Sequence, residues 1–211
     1  MDASERLAAA DAAAAAGRFD ECRRALRDAR MAANGAGDLR ALSAVMRREA
    51  SLLEPEARGG LLVEAARLAH RAGDVVGEVE ALEDLSRDWL TAGRTGAAVA
   101  LLGRCAERQA GRLDRAGYIR AAMLAGRALC EAWGPSREVP AGMAMLLFCE
   151  REAGRIDDSL ARLLRDYLSG FQYTLSDAEF AAVEPWLELD GKAVVDATFA
   201  RYVEEHRSEL P

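Results

Sequence analysis

The sequence is poor in the residues from which catalytic and metal sites are built. Across 211 residues it has two histidines, four cysteines and only 6% aromatics. Cys22, Cys105, Cys130 and Cys149 lie far apart with no CxxC spacing. Zinc or a disulfide framework is therefore not expected, and buried single thiols in a reducing, cytoplasmic setting are. Neither histidine anchors a site. His70 falls near a helix end, where a cation suits the dipole, and His206 lies in VEEHRSE, which reads as a solvated helix face. HExxH, GxSxG and phosphate-loop patterns are missing. Gly35-Ala36-Gly37 has no strand before it and reads as a helix connector. The paired carboxylates Glu80 with Glu83 and Asp157 with Asp158 would serve acid–base chemistry only in a dry pocket, so they read as surface groups. The expectation is a non-enzyme with no catalytic residue, no metal ligand and no cofactor.

Long apolar runs are also missing. No window approaches about 18 uninterrupted apolar residues, so no membrane span and no membrane partner are expected. The opening MDASERLAAADAAAAAG has an acidic start and Asp11 within it, unlike a signal peptide. Lysine is reduced to Lys192, beside 27 arginines spread along the chain without clustering, which reads as coding bias. The formal net charge is -7. Residues 1–50 carry nine arginines against eight acids, while residues 171–211 carry three basic residues against nine acids. A balanced front and an acidic tail argue against general nucleic-acid binding, which needs a net positive face to displace phosphate counterions.

What the chain does contain is helical periodicity that repeats. Between Asp74 and Ala106, Val79, Leu82, Leu85 and Trp89 fall three to four apart and predict one buried helix face. After Ala92-Gly93-Arg94, a second stripe (Ala98, Leu101, Leu102, Cys105) faces back, with Ser86 and Ala98 small where the helices would cross. A first unit spans about residues 3–35, with helices over Ser4–Ala16 and Asp20–Ala33 around Gly17. A second runs from Asp38 to Ala72, with Pro55 placed to open its second helix. Gly59-Gly60 costs about 1 kcal/mol per glycine inside a helix, which predicts a start only at Leu61. A fourth unit opens at Asp114 and stops at Gly134-Pro135. Asp38, Asp74 and Asp114 stand 36 and 40 residues apart, and twelve residues after each comes a small residue, Ala50, Ser86 or Gly126. Such periods belong to helical-hairpin arrays. Beyond Gly134 come a helix over about Ala141–Ala153, another in IDDSLARLLRDYLSGF, and a capping box at Ser176 and Glu179. A last helix from about Lys192, with Val194, Val195, Phe199 and Tyr202 on its apolar side, reads as a terminal cap.

Leu85, Ser86, Trp89, Gly93 and Ala98 hold the large, small, aromatic, turn and small places of a known pattern, and Gly17, Phe19, Cys22, Leu26 and Ala29 fit it again. The stretch resembles the tetratricopeptide repeat. The resemblance implies an all-α, right-handed α-solenoid of about four tetratricopeptide-like helical hairpins over residues 1–153. A divergent C-terminal helical cap over 154–211 would belong to the same globule. It also implies a concave groove lined by the first helix of each hairpin: Arg47 and Ser51, then Glu80, Glu83 and Arg87, then Arg120, Met123 and Arg127. Guanidinium groups pair carboxylates bidentately, so that groove suits a protein or peptide segment of acidic character. The expected function is a non-catalytic scaffold or adaptor. The alternative is a regulatory module that senses a ligand or signalling peptide and acts on a separate partner. Trp89 is expected in the core, and Trp133 and Trp186 are candidate interface anchors. The residues indicate no oligomeric state.

Overall fold

The computed structural model describes residues 2–134, 137–156 and 158–211, with the side chain of Leu187 left aside. Pro135 of the expected helix stop and Asp157 of the second carboxylate pair lie outside the described residues. Among those described, the structure is all helical and has no strand. The helices are α1 (Ala3–Ala15), α2 (Phe19–Ala36), α3 (Leu39–Ser51), α4 (Pro55–Arg71), α5 (Val75–Thr91), α6 (Thr95–Ala110), α7 (Arg115–Glu131), α8 (Val139–Ala153), α9 (Asp158–Gln172), α10 (Asp177–Val183) and α11 (Gly191–Glu205). A short 3-10 turn, Glu184–Glu188, precedes α11. The chain divides into two compact units, Met1–Asp88 and Trp89–Pro211.

The helix ends follow the local chemistry of the sequence. Asp38, Asp74 and Asp114 each accept a hydrogen bond from the backbone N–H three residues on, at Ala41, Gly77 and Gly117. That is the N-cap role expected of an aspartate ahead of an amphipathic run. Four helices close by one turn geometry. Gly17, Gly37, Gly73 and Gly93 sit at φ between 66 and 73°. The residue after each donates to the carbonyl five back: Arg18 to Ala13, Asp38 to Ala33, Asp74 to Ala69 and Arg94 to Trp89. This bond and its left-handed residue make up the Schellman motif. The end of α6 makes the same bond, Asp114 to Gln109, but its left-handed residue is Leu113, at φ 60°.

In the first unit α1 packs on α2, α2 on α3 and α3 on α4. The core there is built from small and branched side chains: Ala10, Ala13, Cys22, Leu26, Ala29 and Val45. Ala50 and Ser86, the small residues twelve positions after Asp38 and Asp74, are wholly buried. Contrary to the expectation from Gly59-Gly60, α4 begins at Pro55 and runs through both glycines. Tertiary ties override the local cost. Arg58 pairs with Asp88 at 2.6 Å, and Gly59 packs near Leu85.

In the second unit α6 is the centre, with every residue from Ala97 to Gly103 buried. A helix that is apolar all round must be covered on several sides; α7 covers one and α11 another. Gly103 permits the latter approach, since a Cβ there would meet Phe199 at 3.1 Å and Val203 at 3.2 Å. The final helix thus packs against α6 and α8, in keeping with a covering role. Helices α7 and α8 meet at two glycines: a Cβ on Gly126 would lie 3.0 Å from the Gly142 carbonyl oxygen. Tyr118 of α7 donates to Asp196 of α11 at 2.6 Å. His206 is not on a solvated face. It is half-buried, stacked on Tyr202 and bonded through Nδ1 to Glu209 at 2.7 Å, in space left by the missing side chain of Gly96. His70 lies in the last turn of α4, as its dipole role requires, and its Nδ1 is 3.2 Å from Glu78.

Candidate functional site

In the first unit, the expected site residues of α5 fall on one helix face and are tied to Arg47 of α3. Glu80, Glu83, Asp84 and Arg87 lie three and four residues apart on α5 and so share a side. Arg47, reaching from α3, pairs with Glu80 and with Asp84 at 3.1 Å. Arg87 pairs with Asp84 at 2.6 Å and approaches Glu83 at 3.6 Å. The result is a ladder of alternating sign, in which each arginine already faces carboxylates of the same unit.

Beside the ladder a cleft of about 140 Å³ opens where α3, α4 and α5 meet. Arg47, Ser51, Asp84 and Arg87 form its edge, and Arg58 and Asp88 contribute from deeper. Asp88 is 8% exposed. Its Oδ1 takes the guanidinium of Arg58, while its Oδ2 and the Arg58 Nε have no hydrogen-bond partner among the described residues. An unsatisfied buried polar group costs about 1–3 kcal/mol, more when charged, so these two enclosed atoms are a local cost of holding the Arg58–Asp88 pair inside the fold. The sequence reading missed Arg58, Asp84 and Asp88. The available signal was an acid set directly within the apolar stripe between Leu85 and Trp89.

In the second unit, Arg120 is exposed and Met123 half-buried on α7. Arg127 forms a pair with Glu131 at 3.2 Å and lies over the Tyr167 ring at 5.0 Å. Tyr167 donates to Glu131 at 2.7 Å. Burial first, and then this bond to a carboxylate, push the Tyr167 hydroxyl above its ordinary value. Trp133, at the end of α7, is 93% exposed, whereas Trp186 is half-buried. Trp89 is not fully enclosed as expected of a core residue. It is half-buried, and Arg94 stacks over its ring at 4.2 Å, which covers one face with a cation that itself reaches water.

The second unit also holds a cavity of about 590 Å³. Tyr118 and Phe148, in edge-to-face contact, wall it, and Leu113 stands at its mouth, 92% exposed. Arg115 and Arg155 share the single carboxylate of Glu152. Lys192 pairs with Asp196 and lies 5.5 Å from the Tyr118 ring. The charges around this cavity are thus mostly matched within the protein. Among the described residues no group of three histidine, cysteine, aspartate or glutamate side chains could hold a metal ion. No described helix is long and apolar enough to cross a membrane. All four cysteines are buried thiols outside any disulfide. Burial pushes the thiols of Cys130 and Cys149 up to about 12.

The fold is an all-helical array of consecutive packed helices, compatible with a helical-repeat protein. No family model, curated protein or solved structure matches the chain.

Proposed function

We propose that the chain is a tetratricopeptide-like, non-catalytic module that binds a protein or peptide segment. The docking face on the first unit is the α3–α5 ladder of Arg47, Glu80, Glu83, Asp84 and Arg87. The observation that carries this reading is the ladder itself, a row of alternating charge on partly exposed side chains of Arg47, Glu80, Asp84 and Arg87. The ladder's paired arginines refine the partner's character. A segment with acidic residues alone would have to displace Glu80 and Asp84, whereas one bearing charges of both signs can extend the alternation. Arg120, Met123 and Arg127 are assigned to the same activity through the repeat pattern, which places them on the corresponding helix of the next hairpin.

The test is an array of immobilised peptides that varies the order of acidic and basic residues. The native chain is compared with Arg87→Glu. The native chain should retain a subset in which the signs alternate, and Arg87→Glu should lose that subset at unchanged helicity. Truncating or reversing one partner of a charged hydrogen bond costs about 1.5–3 kcal/mol, a tenfold to hundredfold loss. Equal retention by both proteins would remove the ladder from consideration.

A further inference from the structure

The geometry points to a second binding site on the first unit, one for a small amphipathic carboxylate. A cavity of about 520 Å³ lies where α2 faces the end of α3 and the start of α4, within the size range that encloses drug-sized ligands. Its floor is leucine. Leu26 comes from α2, Leu52 and Leu53 from the α3–α4 turn, and Leu61 from α4. Leu26 is buried, but Leu53 remains 42% exposed, so apolar surface is left for a ligand to cover. Covering it is favourable in proportion to the area removed from water.

The rim is cationic, and its charges differ in kind from those of the α3–α5 ladder. Arg23, Arg24 and Arg27 all line the cavity from α2. The Arg24 Nε reaches only the backbone oxygen of Asp20, at 3.4 Å, and Arg27 meets no carboxylate among the described residues. Two acids also face the cavity. Glu49 is held by Arg30 at 2.9 Å, and Asp20, whose side chain is turned to solvent, approaches Arg23 at 3.5 Å. Two guanidinium groups without acid partners beside a leucine floor match a ligand with an anionic head and an aliphatic body. A carboxylate suits the planar fork of arginine. The open side of the cavity lets the head remain partly hydrated while the chain lies on the leucines.

Decanoate, below its micellar concentration, is the probe, titrated calorimetrically into the intact chain. It should bind saturably at one site, with decanol and acetate each roughly tenfold weaker or more, because each lacks one of the two features. Arg24→Gln with Arg27→Gln, both exposed positions whose change leaves the core untouched, should weaken decanoate to the level of decanol. Leu53→Trp, which fills the floor from a partly exposed position, should weaken decanoate and decanol alike, while Arg87→Glu should change neither. Absence of saturable binding, equal affinity for decanol, or undiminished binding by the double glutamine variant would overturn the assignment. So would tighter binding of a short Leu- and Glu-containing peptide than of decanoate, which would give the cavity to a protein partner.

Discussion

A single methyl group added at Gly142 should separate α7 from α8. A Cβ built there would lie 2.6 Å from the Cys130 Sγ, 2.7 Å from the Gly126 carbonyl oxygen and 3.1 Å from the Cys130 amide nitrogen. Ordinary contact begins near 3.4 Å, so α8 would have to withdraw by about 0.7 Å (3.4 less 2.7), a gap that already forfeits a quarter or more of each dispersion contact it opens. Two of the three obstructing atoms belong to backbone, so no change of rotamer relieves them. Overpacking of this kind costs about 1–3 kcal/mol, and the backbone obstruction places Gly142→Ala near the upper end. Replacing a glycine within a helix by alanine returns up to about 1 kcal/mol, which leaves a net loss of about 1–2 kcal/mol. Gly170, in α9 of the same unit, is the control, because a Cβ there would meet nothing within 4 Å. Gly170→Ala should instead stabilise by about 0.5–1 kcal/mol. Urea melts of the two variants followed by circular dichroism read both signs directly. If Gly142→Ala proved as stabilising as Gly170→Ala, the close crossing of α7 and α8 would be wrong.

Two further outcomes follow from the second unit. Leu113 holds a left-handed backbone at φ 60° with its side chain almost fully exposed, so Leu113→Gly removes strain without removing packing. Left-handed L-residues cost about 1–2 kcal/mol, part of which glycine returns through the unfolded chain. Thermal melts should therefore show a net gain of about 0.5–1 kcal/mol, and a loss would mean that Leu113 makes a contact in solution. Arg201 grips Glu138 with two hydrogen bonds and holds its carboxyl below the ordinary range. A depressed carboxyl stabilises fully above its unfolded value, about 4.3, and ceases to as pH falls through the folded value. Glu138→Gln should melt earlier than the native chain at pH 7, by roughly 1 kcal/mol or less for so exposed a pair, and the gap should narrow as pH falls below about 4.3. A gap undiminished at pH 3 would locate the loss elsewhere than in the ion pair.

Much of the fold could be read from residues that act locally. The three unit-opening aspartates cap their helices where the spacing placed them, because an N-cap depends on one side chain and the amides just after it. Gly126 was legible as a close-contact position from its register with Ala50 and Ser86. Its counterpart Gly142 was not, since nothing within Ala-Gly-Met-Ala-Met marks which residue another helix will touch. Gly59-Gly60 misled for the same reason: the propensity is local, but the ion pair of Arg58 with Asp88 is not. At the site, helical spacing was enough to put Glu80, Glu83 and Arg87 on one side. That Arg47 and Arg87 would be occupied by acids depends on distances between α3 and α5, which no spacing along one helix contains. Arg24 and Arg27 drew no notice because the repeat pattern directs attention to the first helix of each hairpin, and α2 is a second.

Lys192 gives the chain a practical property that its arginine-built ion pairs do not. It carries the one side-chain amine among the 211 residues, and that amine is exposed beside Tyr118 at the edge of the second unit's cavity. Amine-directed dyes, spin labels and crosslinkers, which decorate most proteins at random, therefore have a single side-chain address here. A probe attached at Lys192 sits next to a ring whose hydroxyl fastens α7 to α11, so its signal reports whether that joint is closed.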